Sequence, residues 1–254
     1  MDQHGRRLHP QIAGTKDQFA IFLGCSFVFG VSVQETETLP FYFEKIRPNY
    51  KSYNYGVSGY GTHQILAQVR SIDWSLQIEE RNGIFIMIAI PQHIFRSSGH
   101  SQTVGSRFND PCYAKDDLEN MKYVGTRCTN NPIRSRLNAL INSISVPTVN
   151  GLIPLSKLDP ITENQVDYDC NLTYAIQKKL LKLYPKSKFA VVFHPQYDSY
   201  YKRQVECLKK HHVKHLIFSD QFHLFERSLA PDRAHPSASS NKMLAKMIIS
   251  ELEL

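Results

Sequence analysis

No apolar run in this chain approaches the roughly 20 residues that a membrane-spanning helix needs, and the opening MDQHGRRLHPQ is polar and basic. Neither a membrane span nor a signal peptide is therefore expected in it. None of the five cysteines forms a Cys-x-x-Cys pair, so the usual zinc spacing is absent and no metal is expected. The glycine turn Gly56–Gly61 reads GxxGxG rather than GxGxxG, and no suitable acid follows about 20 residues on, which weighs against a dinucleotide site. Internal repeats and low-complexity segments are missing too. The excess of basic over acidic residues gives a net charge of +7. That charge is scattered, and its densest groups (Lys178, Lys179 and Lys182; Lys209 to His212) fall on helix faces where they read as solvated surface. With no nucleic-acid-binding motif present, no nucleic-acid partner is expected.

What is there suits one α/β domain: 254 residues, 42% hydrophobic and 21% charged. The most informative stretch is Phe19–Gly30, FAIFLGCSFVFG. An apolar run without alternation predicts a central parallel strand covered on both faces. It ends at Gly24-Cys25-Ser26, a sharp turn carrying a hydroxyl at the carboxyl end of the strand, where open α/β sheets build their sites. Read structurally, Ser26 only caps the next helix.

The far end changes that balance. Pro231-Asp232-Arg233-Ala234-His235-Pro236 sets an Asp and a His three residues apart in a turn, where the Asp can orient the imidazole and leave its other nitrogen free as a base. A hydroxyl nucleophile needs such a base, and the base needs an orienter.

Three stretches in order resemble blocks of the SGNH/GDSL hydrolases: GCSFVFG the first, Asn54–Thr62 with its glycine at Gly59 the second, and DRAHP the last. The resemblance runs from Phe19 to the C-terminus. It implies a three-layer α/β/α, flavodoxin-like fold with a five-stranded parallel sheet. It also implies a Ser26–His235–Asp232 triad and an oxyanion hole from the N–H groups of Ser26 and Gly59. Two departures stand out. Cys25 replaces the usual Asp beside the serine, and reads either as a rival nucleophile or, preferably, as a small buried thiol. The third block's Asn, an oxyanion donor, is absent after Gly83–Ile90, where Gln92 or His93 follows instead. Both carry N–H groups, and His93 is preferred; structurally, His93 only packs or caps its loop. Ser58 is a further hydroxyl after a strand, outside any GxSxG frame.

In chain order, the pattern predicts helices at Glu37–Ile46, His63–Ile78, Ile133–Ile144, Thr162–Tyr184 (with a capping box), Tyr197–His211 and Ser239–Glu251. Strands are expected at Tyr50–Tyr55, Gly83–Ile90, Lys188–Phe193 and Lys214–Phe218, with a small one at Val146–Val149. Ser97–Asn131 is long and polar and reads as a lid or substrate-binding insert. Cys112 and Cys128 bracket that loop; a disulfide is open to them, but free thiols are the preferred reading. Ser26, Gly59, Gln92/His93, His194 and Asp232/His235 each follow a strand, so a parallel sheet would gather them at one rim.

The expected function is a serine-dependent ester hydrolase or O-acyl (acetyl) transferase, without metal or organic cofactor. Its substrate is expected to be a small-molecule or polysaccharide ester, an acylated carbohydrate or a lipid-like ester. Competing readings are a catalytically weak or inactive carbohydrate-binding module on the same fold, and a nucleotide-binding domain. Residues 1–17 read as an N-terminal extension or linker before a single domain, 18–254. In similar proteins that position follows a membrane anchor, which would make the domain extracytoplasmic; otherwise it is cytoplasmic.

Overall fold

Consecutive residues of the first apolar run serve different cores. Phe19, Ile21 and Leu23 pack on one side of the sheet, Ala20 and Phe22 on the other, as the two-residue period of a strand requires. All five are fully buried. The structure, a computed structural model, describes residues 1–98, 110–116, 120–126, 161–195, 201–218, 222–226 and 228–254.

Within them the elements run β1 (Gln18–Gly24), α1 (Ser26–Phe29), α2 (Leu39–Ile46), β2 (Tyr50–Gly56), α3 (Thr62–Ser71), α4 (Trp74–Gln77), β3 (Gly83–Ala89), α5 (Pro91–Ser97), β4 (Pro111–Lys115) and β5 (Met121–Thr126). They continue with α6 (Glu163–Leu183), β6 (Lys188–Phe193), α7 (Tyr201–Lys210), β7 (Lys214–Leu216), α8 (Phe222–Glu226) and α9 (Ala238–Glu251). Five strands form one parallel sheet in the order β2-β1-β3-β6-β7. The register pairs Gly24 with Gly56 and Leu23 with Met87, so the exits of β1, β2 and β3 lie level at one edge. The order reverses between β1 and β3, the switch point at which such sheets bind ligands.

Helices α3, α6 and α7 cover one face through Leu66, Ile176 and Leu208, while α2 and α9 cover the other through Phe43 and Ile248. The result is the expected three-layer α/β/α arrangement. Burial of each such side chain stabilises the fold by about 1.5–3 kcal/mol. Three polar devices set the helix starts: Thr38 accepts from the Phe41 N–H ahead of α2, Thr162 and Gln165 form the expected capping box of α6, and Ser237 caps α9.

Several expectations need correction. The helix expected over His63–Ile78 is broken, because Asp73 caps a separate short turn, α4. Gln92 and His93 belong to a helix, α5, not a loop. Part of the Ser97–Asn131 stretch forms an antiparallel hairpin, β4–β5, whose strands carry Lys, Pro and Gly and lack clean alternation. Only Lys214–Leu216 of the expected last strand pairs with the sheet. The helix at Ile133–Ile144, the strand at Val146–Val149 and Cys128 lie outside the described residues.

Cysteine pairing also differs from the preferred reading. Cys112 is disulfide-bonded. Cys170 of α6 and Cys207 of α7 form a disulfide across 37 residues of sequence. Connectivity of this kind cannot be deduced from spacing.

Candidate active site

The turn after β1 is built by its glycine. Gly24 has φ of 156°, and a Cβ there would meet Val28 Cγ2 at 2.6 Å. That tight passage makes Cys25 the residue preceding α1 and Ser26 the first helical residue, where the N–H has no intrahelical acceptor. Cys25 is 1% exposed and packs with Phe27 and Ile90. Such burial fits the small-thiol reading rather than a nucleophile.

The second component is the turn before α9. Ala230 and His235 are tied by an N–H···O bond of 2.8 Å, the Arg233 N–H donates to Ala230 O at 2.8 Å, and Leu229 bridges to Pro236. This turn sets Asp232 beside His235: Nδ1 lies 2.7 Å from Asp232 Oδ2, and Nε2 lies 2.9 Å from Ser26 Oγ. The tautomer follows from chemistry. An ionised carboxylate only accepts, so Nδ1 carries the proton and Nε2 presents its lone pair to the serine hydroxyl. Asp232 is held well below the usual carboxylate range, first by the Ser32 hydroxyl and then by the Ala234 N–H, with His235 adding to both. Ser32 Oγ donates to Oδ2 at 2.6 Å, and the Ala234 and His235 N–H groups reach Oδ1 at 3.0 and 3.1 Å. Ser26, His235 and Asp232 thus form one continuous hydrogen-bonded chain.

The glycine turn after β2 belongs to the same edge, since the Val57 N–H donates to Gly24 O at 3.1 Å. Gly59 has φ of 82°, a left-handed conformation that favours glycine. Ser58 beside it is exposed and has no part in the Ser26–His235–Asp232 chain. Gln92 and His93 occupy the first turn of α5 at the exit of β3; His93 is 1% exposed and Gln92 is half-buried. His194, at the exit of β6, is fully buried, and that burial pushes it down to about 3, so it is neutral. Its ring stands edge-on to Phe27 at 4.9 Å, and Phe27 in turn lies 5.5 Å from the His235 ring. His194 therefore backs the wall behind the base.

Sequence reasoning missed two features. One is Ser32, which sits in a loop with φ of 66°; nothing in the local string VSVQ marks it. The other is a second set of the same three residue types. His63 lies 3.3 Å from Ser97 Oγ through Nδ1 and 3.2 Å from Asp110 Oδ2 through Nε2. Ser97 and His63 are each 1% exposed, so no substrate reaches that serine, and the set instead ties α3 to α5 and to the start of the hairpin. Beside it, Asp169 is buried completely and accepts from Gln204 Nε2 at 2.7 Å. Burial pushes its pKa up to about 6, with Thr62, Ser97 and Gln204 partly offsetting that cost.

Among the described residues, Cys170, Cys207 and His211 are close enough to share a metal ion. The two sulfurs are joined to each other as a disulfide and offer no thiolate, so the donor set does not suit a cation. A cleft of about 440 Å³ between the hairpin and α6, lined by Tyr113, Lys115, Asn164 and Tyr168, includes none of Ser26, Asp232 or His235.

No protein-family model matches the sequence, and no curated protein matches it either. Solved structures do match. A carbohydrate esterase family 2 enzyme with a carbohydrate-binding domain from Corynascus thermopiles (Myceliophthora fergusii) superposes with a TM-score of 0.52 at 11% identity, covering 96% of this chain and 69% of that one. A putative GDSL-like lipase from Parabacteroides merdae gives 0.52 at 14% identity, with coverage of 95% and 98%. A catalytic mutant of an acetylxylan esterase from Geobacillus stearothermophilus gives 0.52 at 10% identity, with coverage of 96% and 97%. The fold is that of the SGNH hydrolases.

Proposed function

We propose that this protein is a serine-dependent ester hydrolase, or an O-acyl (acetyl) transferase, acting on an acylated carbohydrate or a lipid-like ester. The single observation that carries the reading is the unbroken chain Ser26 Oγ–His235–Asp232, with contacts of 2.9 and 2.7 Å, at the switch point of the sheet. Support also comes from the esterases and lipases that share the fold.

In the reaction, Ser26 Oγ attacks the ester carbonyl carbon while His235 Nε2 takes the hydroxyl proton. The carbonyl π pair moves onto its oxygen, which faces the N–H groups of Ser26 and Gly59, with Gln92, half-buried where His93 is 1% exposed, the side chain proposed to complete the oxyanion site. The tetrahedral intermediate collapses, the ester C–O bond breaks, and His235 returns the proton to the leaving alcohol. Water, or a sugar hydroxyl in transfer, then attacks the Ser26 acyl ester by the same steps reversed. Asp232 stays ionised and steadies the imidazolium that forms in each half.

A second reading, a carbohydrate-binding module with little turnover, is favoured by the missing oxyanion Asn: one such donor is worth about 2.7–4 kcal/mol. Turnover of p-nitrophenyl acetate and of acetylated xylan oligosaccharides separates the two. Hydrolysis by the wild type that is lost in Ser26→Ala supports the enzyme. Equal, weak turnover by both proteins, with retained binding of xylan oligosaccharides, overturns it.

A further inference from the structure

The proposed triad has a fourth polar member that its motifs do not contain. Ser32 Oγ and His235 Nδ1 both address Asp232 Oδ2, at 2.6 and 2.7 Å. The other carboxylate oxygen is already taken by the Ala234 and His235 N–H groups. The Asp232 and His235 side chains are 30% and 21% exposed, so water competes for Oδ2 unless a fixed donor holds it. Ser32 is such a donor, yet it comes from a loop and holds φ at 66°, a region few non-glycine residues adopt. Something has to keep that loop in place.

Arg7 does so. Its guanidinium donates to the carbonyls of Phe29 at 3.0 Å, of Gly30, and of Val33 at 2.7 Å, bracketing Ser32 on both sides. It also lies over the Phe29 ring at 5.2 Å. A rigid planar fork of five donors can serve several carbonyls at once, whereas a lysine ammonium is a single point of charge. Arg7 is itself fixed by a backbone bridge to Asn54 of β2, and the Asn54 amide donates to Val28 O at 2.9 Å. The N-terminal segment, β2 and the loop after α1 therefore converge on one hydroxyl.

We propose that Arg7 and Ser32 are positioning residues of this site: Arg7 fixes the Gly30–Val33 loop, Ser32 fixes the Asp232 carboxylate, and Asp232 fixes His235. The inference rests on the triad reading above and extends the machinery to the N-terminal segment. Neither residue touches the reacting atoms. Their effect falls on kcat, because a small misplacement of the base slows proton transfer without altering ground-state binding.

The test uses the full chain and p-nitrophenyl acetate, comparing wild type, Ser26→Ala, Ser32→Gly, Arg7→Lys and the Ser32→Gly/Arg7→Lys double variant. Glycine suits the backbone at position 32, so loss of the hydroxyl is separated from loss of fold. Ser32→Gly is expected to lower kcat roughly 10- to 100-fold with KM within about twofold of wild type. Arg7→Lys should move kcat the same way, and the double variant should fall no further than Ser32→Gly alone, since both act through one contact. A readout independent of turnover is the low-field proton resonance of the His235 Nδ1–H, identified by its loss in His235→Gln; it should shift in Ser32→Gly. Ser26-dependent turnover with wild-type kcat in Ser32→Gly overturns the inference and leaves the triad standing. Absence of Ser26-dependent turnover in the wild type overturns the proposed function, and an unmoved His235 resonance in Ser32→Gly then overturns the positioning claim as well.

Discussion

His235 Nε2 stands 2.9 Å from Ser26 Oγ although 209 residues separate them in sequence. The sheet closes that distance. Ser26 is anchored two residues past the end of β1, an interior strand of the five, and His235 sits in a turn held to α9 by the Ser237 cap. If the two act as a unit, their losses are not additive. We predict that Ser26→Ala and His235→Ala each lower kcat/KM for p-nitrophenyl acetate by roughly 10³-fold or more, and that the double variant is no worse than either. Multiplied losses in the double variant would contradict the shared step.

Gly24 is where fold and chemistry meet. Any side chain there meets Val28 Cγ2 at 2.6 Å, and φ of 156° is strained for an L residue. We predict that Gly24→Ala lowers stability by roughly 1–3 kcal/mol through overpacking and backbone strain, and lowers turnover further by moving Ser26. Wild-type melting and activity in Gly24→Ala would show that the turn tolerates a Cβ.

Asp169 gives the fold a pH signature with a definite sign. Its pKa is raised from the ordinary 3.8 to about 6 by burial, so the native state keeps a proton that the unfolded chain gives up. Its contribution to stability is therefore fully present below about pH 4 and is lost as pH rises to about 6, a change on the order of 2–3 kcal/mol. We predict that Asp169→Asn gains thermal stability relative to wild type as pH rises from 4 to 7. Parallel melting curves across that window would contradict the assignment.

Much of this was legible in the chain. Continuous apolar runs at Phe19–Leu23 and Gly83–Ile90 marked central strands because only strands covered on both faces tolerate them. The positions of Ser26, Gly59, Asp232 and His235 after strands marked one edge, because parallel strands all end on the same side. What stayed hidden depends on tertiary approach. Ser32 meets Asp232 across 200 residues, and its hydroxyl looks like any loop serine. The Cys170–Cys207 bond joins two helices that each look ordinary alone. The hairpin β4–β5 has too little alternation to be read, and α5 begins at Pro91, a residue that reads equally well as a loop or as a first turn.

The Cys170–Cys207 disulfide pins α6 to α7 over a separation of 37 residues. In the chain-entropy account a loop of that size is worth about 4 kcal/mol. We predict that Cys170→Ala/Cys207→Ala lowers the melting temperature by roughly 5–15 °C and leaves the Ser26 site reactive. An unchanged melting temperature, or peptide mapping that finds both thiols free in protein prepared under oxidising conditions, would contradict it.

The most direct measurement is intact-mass analysis after treatment with a fluorophosphonate, on wild type, Ser26→Ala and His235→Ala. An activated serine is predicted to give one covalent adduct on the wild type, mapped to Ser26, with none on Ser26→Ala and little on His235→Ala. No adduct on the wild type, or one that persists in Ser26→Ala, would contradict the account at its centre.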